Sequence, residues 1–227
     1  MLILSLLLNV LTFFGVAALI WRMGGTGYVG YWLNQRGIAP LYEHTKSQFA
    51  MLPDAKNTVV MLGDSQTAYG EWAEWLNETN VRNRGIAGDG VAGVLARLDD
   101  IERLHPTKIY LMIGVNDLSF HRPDWVIAHY RTLVAAIRQR MSAAELIVQT
   151  ILPVNNHVRN TGVENADIQQ VNAEICHIAA ENGVRCIDLF AHFVAPDGNL
   201  PAEFTSDGLH LNGKGYAKWA NILVFSR

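Results

Sequence analysis

From Thr58 onward the chain alternates short, uninterrupted runs of Val, Ile and Leu with longer segments whose apolar residues recur every three or four positions. TVVML (58–62), KIYLMI (108–113), LIVQTIL (146–152) and, more weakly, VRCIDLF (184–190) are such runs, and VRNRGI (81–86) is a shorter candidate. A strand that is apolar without alternation is buried on both faces, as in a parallel sheet covered by helices. Between the runs, Val91, Val94, Leu95, Leu98 and Ile101 share one helical face, as do Val126, Tyr130, Leu133, Val134 and Ile137, and then Ile168, Val171, Ile175 and Ile178. The tail GYAKWANILVF, which follows Gly213, predicts a closing helix. This pattern predicts one open, doubly wound α/β domain over residues 58–227. In such a sheet the ligand site lies beyond the carboxyl ends of the strands, so the chemistry should reside in the loops that follow them.

The N-terminus has a different character. Met1 to Trp21 carry no charged side chain, and only Ser5, Asn9 and Thr12 interrupt the apolar run. As a helix this segment would measure about 31 Å, enough to cross a hydrocarbon core. An N-terminal apolar helix serving as an uncleaved anchor is therefore expected, with a cleaved signal segment as the alternative. Arg22 and Arg36 follow the span, and a charge rule would place them in the cytoplasm; the envelope-type chemistry below argues instead for an external domain, or a secreted or periplasmic one after cleavage. Residues 22–57 read as a connector. Gly24, Gly25, Gly27 and Gly30 break a continuing helix, and Tyr28, Tyr31, Trp32 and Tyr42 suit either a membrane interface or packing onto the domain.

Composition excludes some functions. A net charge of −3 lacks the basic excess of a nucleic-acid binder. Cys176 and Cys186 are too few for a cysteine-rich zinc site; they fall on a helix and the next strand, where two free buried thiols are the favoured reading over a disulfide. The histidines show no H-x-x-x-H or H-x-H spacing, so no metal is implied, and no cofactor is expected.

Four loops carry residues of chemical interest. Gly63-Asp64-Ser65-Gln66-Thr67 follows the first strand: Gly63 permits a sharp exit, and Ser65 falls where free backbone N–H groups can stabilise an anion, although an N-cap serine is the plainer reading. Asp64 could bond the loop that carries Ser65 or simply cap a helix. Asn83-Arg84-Gly85-Ile86-Ala87-Gly88-Asp89-Gly90 follows the second strand, and its glycines let backbone approach a ligand closely. Gly114-Val115-Asn116-Asp117 follows the third, offering the Asn116 amide as a donor or as a turn cap. Asp207-Gly208-Leu209-His210 precedes the last helix. Its spacing lets the carboxylate reach the imidazole, fix its tautomer and leave the other ring nitrogen as a base. Trp72, Trp75 and His157 are further candidates for a pocket wall, with core packing and a surface loop as the alternatives. The four loops together supply a nucleophile, oxyanion donors and a base with its orienting acid, in the order Ser…Asp…His. The G-x-S-x-G elbow of α/β-hydrolases is not matched, because Thr67 stands where its second glycine would be.

The arrangement resembles the SGNH (GDSL-type) hydrolase superfamily. Gly63-Asp64-Ser65, Gly88, Asn116 and Asp207 with His210 are similar to its four blocks, in order, over residues 58–227. Gly70-Glu71-Trp72, Asn83-Arg84-Gly85 and Leu152-Pro153-Val154-Asn155 resemble the bacterial branch similar to platelet-activating-factor acetylhydrolase subunits and carbohydrate or sialate acetylesterases. The resemblance implies a three-layer α/β sandwich with a five-stranded parallel sheet. It also implies a Ser65–His210–Asp207 triad and an oxyanion hole from the Ser65 and Gly88 N–H groups and the Asn116 side chain. The implied activity is hydrolysis of short-chain acyl esters, acetyl foremost, of carbohydrate or lipid. An envelope O-acyltransferase with the same triad is the alternative that the N-terminal segment suggests.

Overall fold

The computed structural model describes residues 40–225, together with Thr12, Gly15 and Val16. The apolar segment over 1–21 thus lies outside the described residues but for those three; among the described residues no helix is long and apolar enough to cross a membrane. Residues 40–51 are helical, inside the stretch expected to be a connector, and His44–Arg227 form one compact unit.

Five parallel strands make a single sheet: β1 (Thr58–Gly63), β2 (Val81–Gly85), β3 (Pro106–Met112), β4 (Glu145–Gln149) and β5 (Arg185–Ile187), in the order β2-β1-β3-β4-β5. After β1 the helices are α1 (Ser65–Ala68), α2 (Trp72–Trp75), α3 (Val91–Ala96), α4 (Leu98–Glu102), α5 (Val115–Leu118), α6 (Pro123–Arg140), α7 (Asn165–Glu181), α8 (Leu189–Phe193) and α9 (Gly213–Phe225). Alternate strand residues point to opposite faces. Val60, Leu62, Ile109, Leu111, Leu146 and Val148 pack beneath α3, α4, α6 and α7, while Val59, Met61, Tyr110, Met112 and Ile147 pack against Trp72, α8 and α9. Both faces are therefore dry, which is why the strands read as unbroken apolar runs.

The order of the strands places the site. The chain leaves β1 for β2 on one side, then crosses back to β3 on the other, so the loops after β1 and β3 diverge and open a crevice at the carboxyl edge. Ser65 follows β1 and Asn116 follows β3.

Buried polar side chains finish the sheet edge. Asn172 of α7 receives the Ile151 N–H and donates to the Ile151 carbonyl, both at 2.8 Å, so the chain beyond β4 keeps its backbone bonds without a strand partner. Trp219 of α9 donates to the Gln149 side chain at 2.7 Å.

One expectation is corrected. Cys176 and Cys186 are not free thiols; they form a disulfide between α7 and β5, with Cα atoms 5.4 Å apart. The turn at Gly183, in the left-handed region at φ +61°, returns the chain alongside α7, so the two side chains face the same gap.

Candidate active site

The segment bearing Ser65 is held by backbone and buried polar groups rather than by its own helicity, since a four-residue helix has no independent stability. Gly63 ends β1 where a Cβ would sit 2.2 Å from the Met112 carbonyl oxygen and 2.3 Å from Thr67 Oγ1, so no larger residue fits. Asp64 caps α1, its Oδ1 accepting the Gln66 N–H at 2.9 Å. The cap is thus Asp64 and not Ser65, which occupies the first helical position and is 5% exposed. The carbonyls of this segment are fixed from three sides: Tyr216 Oη donates to Gln66 at 2.7 Å, Trp72 Nε1 to Thr67 at 2.7 Å, and Asn83 Nδ2 to Thr67, Ala68 and Gly70 at 3.0–3.1 Å.

The opposite wall is the turn before α9. Thr205 Oγ1 accepts the N–H groups of Asp207 and Gly208. Gly208 has φ +81°, and a Cβ there would lie 2.4 Å from the Asn155 carbonyl oxygen. Asn155 in turn donates its N–H to the Gly208 carbonyl at 2.7 Å and its side-chain amide to Leu200. The loop after β4 therefore clamps the turn in place.

These two supports bring together residues separated by 145 positions: the Ser65 hydroxyl lies 2.9 Å from His210 Nε2. His210 Nδ1 lies 2.7 Å from Asp207 Oδ2, while Asp207 Oδ1 accepts the backbone N–H groups of His210 and Leu209 at 2.8 and 3.0 Å. Burial pushes the Asp207 carboxyl upward, but the His210 ring bond and the two backbone donors outweigh it and hold the group down to about 2. An ionised Asp207 keeps the imidazole proton on Nδ1, so Nε2 presents a lone pair to the Ser65 hydroxyl. A hydroxyl so placed can give up its proton as it attacks an electrophilic carbon.

Gly88 and Asn116 lie on the same edge. The Asn116 amide donates to the carbonyl of Asp89, next to Gly88, at 2.8 Å. That bond uses one of two amide hydrogens and ties the loop after β3 to the loop after β2. Asp117 completes the stitch by accepting the Val91 N–H at the start of α3.

Beneath the site is a buried charged group that the sequence did not announce. Asp64, Asp89 and Asp117 are all buried, and Arg97 pairs with Asp89 at 2.8 Å, the two side chains 0% and 1% exposed. Arg97 also donates to the carbonyls of Gly63 and Arg84, joining the ends of β1 and β2. Burial, with the nearby Asp89 and Asp117, pushes the Asp64 carboxyl up to about 7, and burial pushes Asp117 up to about 6.

The remaining candidates resolve plainly. Trp72 is core, packed edge-on to Trp219 at 4.7 Å, and Trp75 is exposed. His157 is an exposed loop residue with its N–H on Asn155 Oδ1. Sequence reasoning missed Arg97 and the anchoring role of Asn83. A lone arginine just past the apolar face of α3 was the available signal for the first.

Comparison with known proteins agrees with this architecture. Residues 58–218 match the model of the GDSL-like Lipase/Acylhydrolase family, and the chain belongs to that family. It is an ester hydrolase of the SGNH superfamily. Among curated relatives, it is 29% identical over 172 residues to the platelet-activating factor acetylhydrolase IB subunit alpha2 of Homo sapiens, covering 73% of each chain. A GDSL-like lipase from Bacteroides thetaiotaomicron superposes with a TM-score of 0.70 at 20% identity, covering 82% of this chain and 96% of that one. An acetyl xylan esterase superposes with a TM-score of 0.64 at 20% identity, covering 74% and 98%.

Proposed function

We propose that the chain hydrolyses short-chain acyl esters, acetyl foremost, of carbohydrate or lipid alcohols, with Ser65 as nucleophile, His210 as base and Asp207 as its orienting acid. The observation that carries this reading is the unbroken Ser65–His210–Asp207 hydrogen-bond chain at the switch point of the sheet. Ser65 Oγ bonds to the ester carbonyl carbon as its proton passes to Nε2. The N–H groups of Ser65 and Gly88 and the Asn116 amide hold the resulting oxyanion. The imidazolium then protonates the departing alcohol as the C–O bond breaks, and water repeats the sequence to release the acid and regenerate Ser65. The names acetylhydrolase and acetyl xylan esterase among similar proteins support an acetyl group.

A hydrolysis screen of p-nitrophenyl acetate, butyrate and octanoate, run with and without a glycan acceptor, tests the reading. The acetate ester should turn over fastest, with free acetate as the product. Preference for octanoate overturns the acyl assignment, and acetyl appearing on the glycan establishes the transferase instead.

The uncharged run over 1–21 supports membrane attachment, and the Cys176–Cys186 disulfide supports a domain outside the reducing cytoplasm. Alkylating the full-length protein in intact cells before and after reduction checks this: both cysteines should resist the reagent until a reductant is added. Labelling without reductant would place the domain in the cytoplasm.

A further inference from the structure

Tyr69 closes α1 immediately after the segment that carries Ser65, and its N–H donates to the Ser65 carbonyl at 3.0 Å. Its ring centre lies 5.3 Å from that of His210, tilted by 54°, yet the residue is 55% exposed. The neighbours Ser65, Gln66 and Thr67 are buried. Packing therefore does not account for Tyr69: a large aromatic ring stands half open to solvent, tilted against the imidazole. Among the described residues its phenol meets no hydrogen-bond partner, whereas the buried Tyr216 spends its hydroxyl on the Gln66 carbonyl.

We infer that Tyr69 is the leaving-group wall of the site, a specificity-determining residue that selects esters whose alcohol carries a ring with an apolar face, aromatic or pyranose. The inference rests on the triad proposed above. In that reaction Nε2 of His210 must deliver its proton to the departing oxygen, so that oxygen lies within hydrogen-bond reach of Nε2. The alcohol's carbon skeleton then extends from the imidazole toward solvent, past the exposed face of Tyr69. A ring can lie against that face and bury apolar area on both partners; a methyl or ethyl group is too small to cover it.

The test measures kcat/KM for phenyl acetate and for an O-acetylated methyl pyranoside, each divided by the value for methyl acetate, in the full-length chain and three variants. Dividing by the methyl ester cancels any general damage to the triad. Tyr69→Phe keeps the ring and should keep both ratios. Tyr69→Ala should lower both by roughly 3- to 10-fold, the range of an aromatic contact. Tyr69→Leu, which keeps the bulk without the flat face, should lower them in the same direction and serves if the alanine variant does not fold. Either ratio remaining within about twofold of the parent in the folded variant overturns the inference, since the aromatic contact that it requires would exceed that change. Ser65→Ala separates the two layers of the argument. If it stays active, the triad reading falls; if it is inactive while the ratios hold, only the role of Tyr69 falls.

Discussion

Ser65→Ala should reduce kcat for p-nitrophenyl acetate by roughly 10⁴- to 10⁶-fold, the scale seen when a triad nucleophile is removed. The size of the effect follows from the geometry. The hydroxyl is the group aligned on His210 Nε2, and without it the imidazole can activate only a water that nothing positions. The residual rate would come from the oxyanion donors, which the substitution leaves in place. Asp207→Asn should cost about 10⁴-fold for a different reason: an amide can donate to Nδ1, which would move the imidazole proton to Nε2 and remove the base. Steady-state kinetics, with circular dichroism confirming an intact fold, check both. A Ser65→Ala protein within tenfold of the parent would refute the mechanism.

The second large effect concerns stability and sits one residue away. Asp64 is fully buried, its Oδ2 meets no protein donor, and its carboxyl is pushed up to about 7 from an ordinary value of 3.8. The folded state therefore keeps a proton that the unfolded chain releases near pH 4. Unfolding sheds that proton between these two values, so stability falls as pH rises from about 4 to 7, and above the folded pKa the whole penalty is present. A separation of some three pH units corresponds to about 4 kcal/mol, an order-of-magnitude figure. Asp64→Asn keeps an oxygen to accept the Gln66 N–H and removes the titration. Urea unfolding should show the variant more stable than the parent by up to about 4 kcal/mol at pH 8, with the gain vanishing near pH 4. A difference that does not change with pH would show that the Asp64 carboxyl does not carry the penalty. Asp117, raised in the same direction, should leave a smaller residual slope of the same sign in the variant.

The proposed triad and the charged group below it were unequally legible. Gly63 and Ser65 follow an apolar run and Asp207 and His210 precede the last helix, and each segment carries a residue type that packing alone would not choose. Asn83 and Arg97 gave weaker signals. Their roles consist of hydrogen bonds to carbonyls of distant segments, and no local pattern encodes which carbonyl lies nearby. The cysteine pair was misjudged for the same reason: a helix and the following strand can place two thiols together or apart, and the turn at Gly183 decided it. Tyr69 reads in sequence as one more aromatic after a helix; only its distance to His210 and its exposure distinguish it.

Periodicity and residue type determined that this chain makes five strand–helix repeats with reactive side chains in the loops after the strands, because backbone geometry converts spacing directly into faces. The strand order β2-β1-β3-β4-β5, the contact across 145 residues from Ser65 to His210, and the buried Arg97–Asp89 pair were decided by tertiary structure. Those depend on long-range packing and on a dry interior in which polar partners must meet, and neither is a property of any local stretch of the chain.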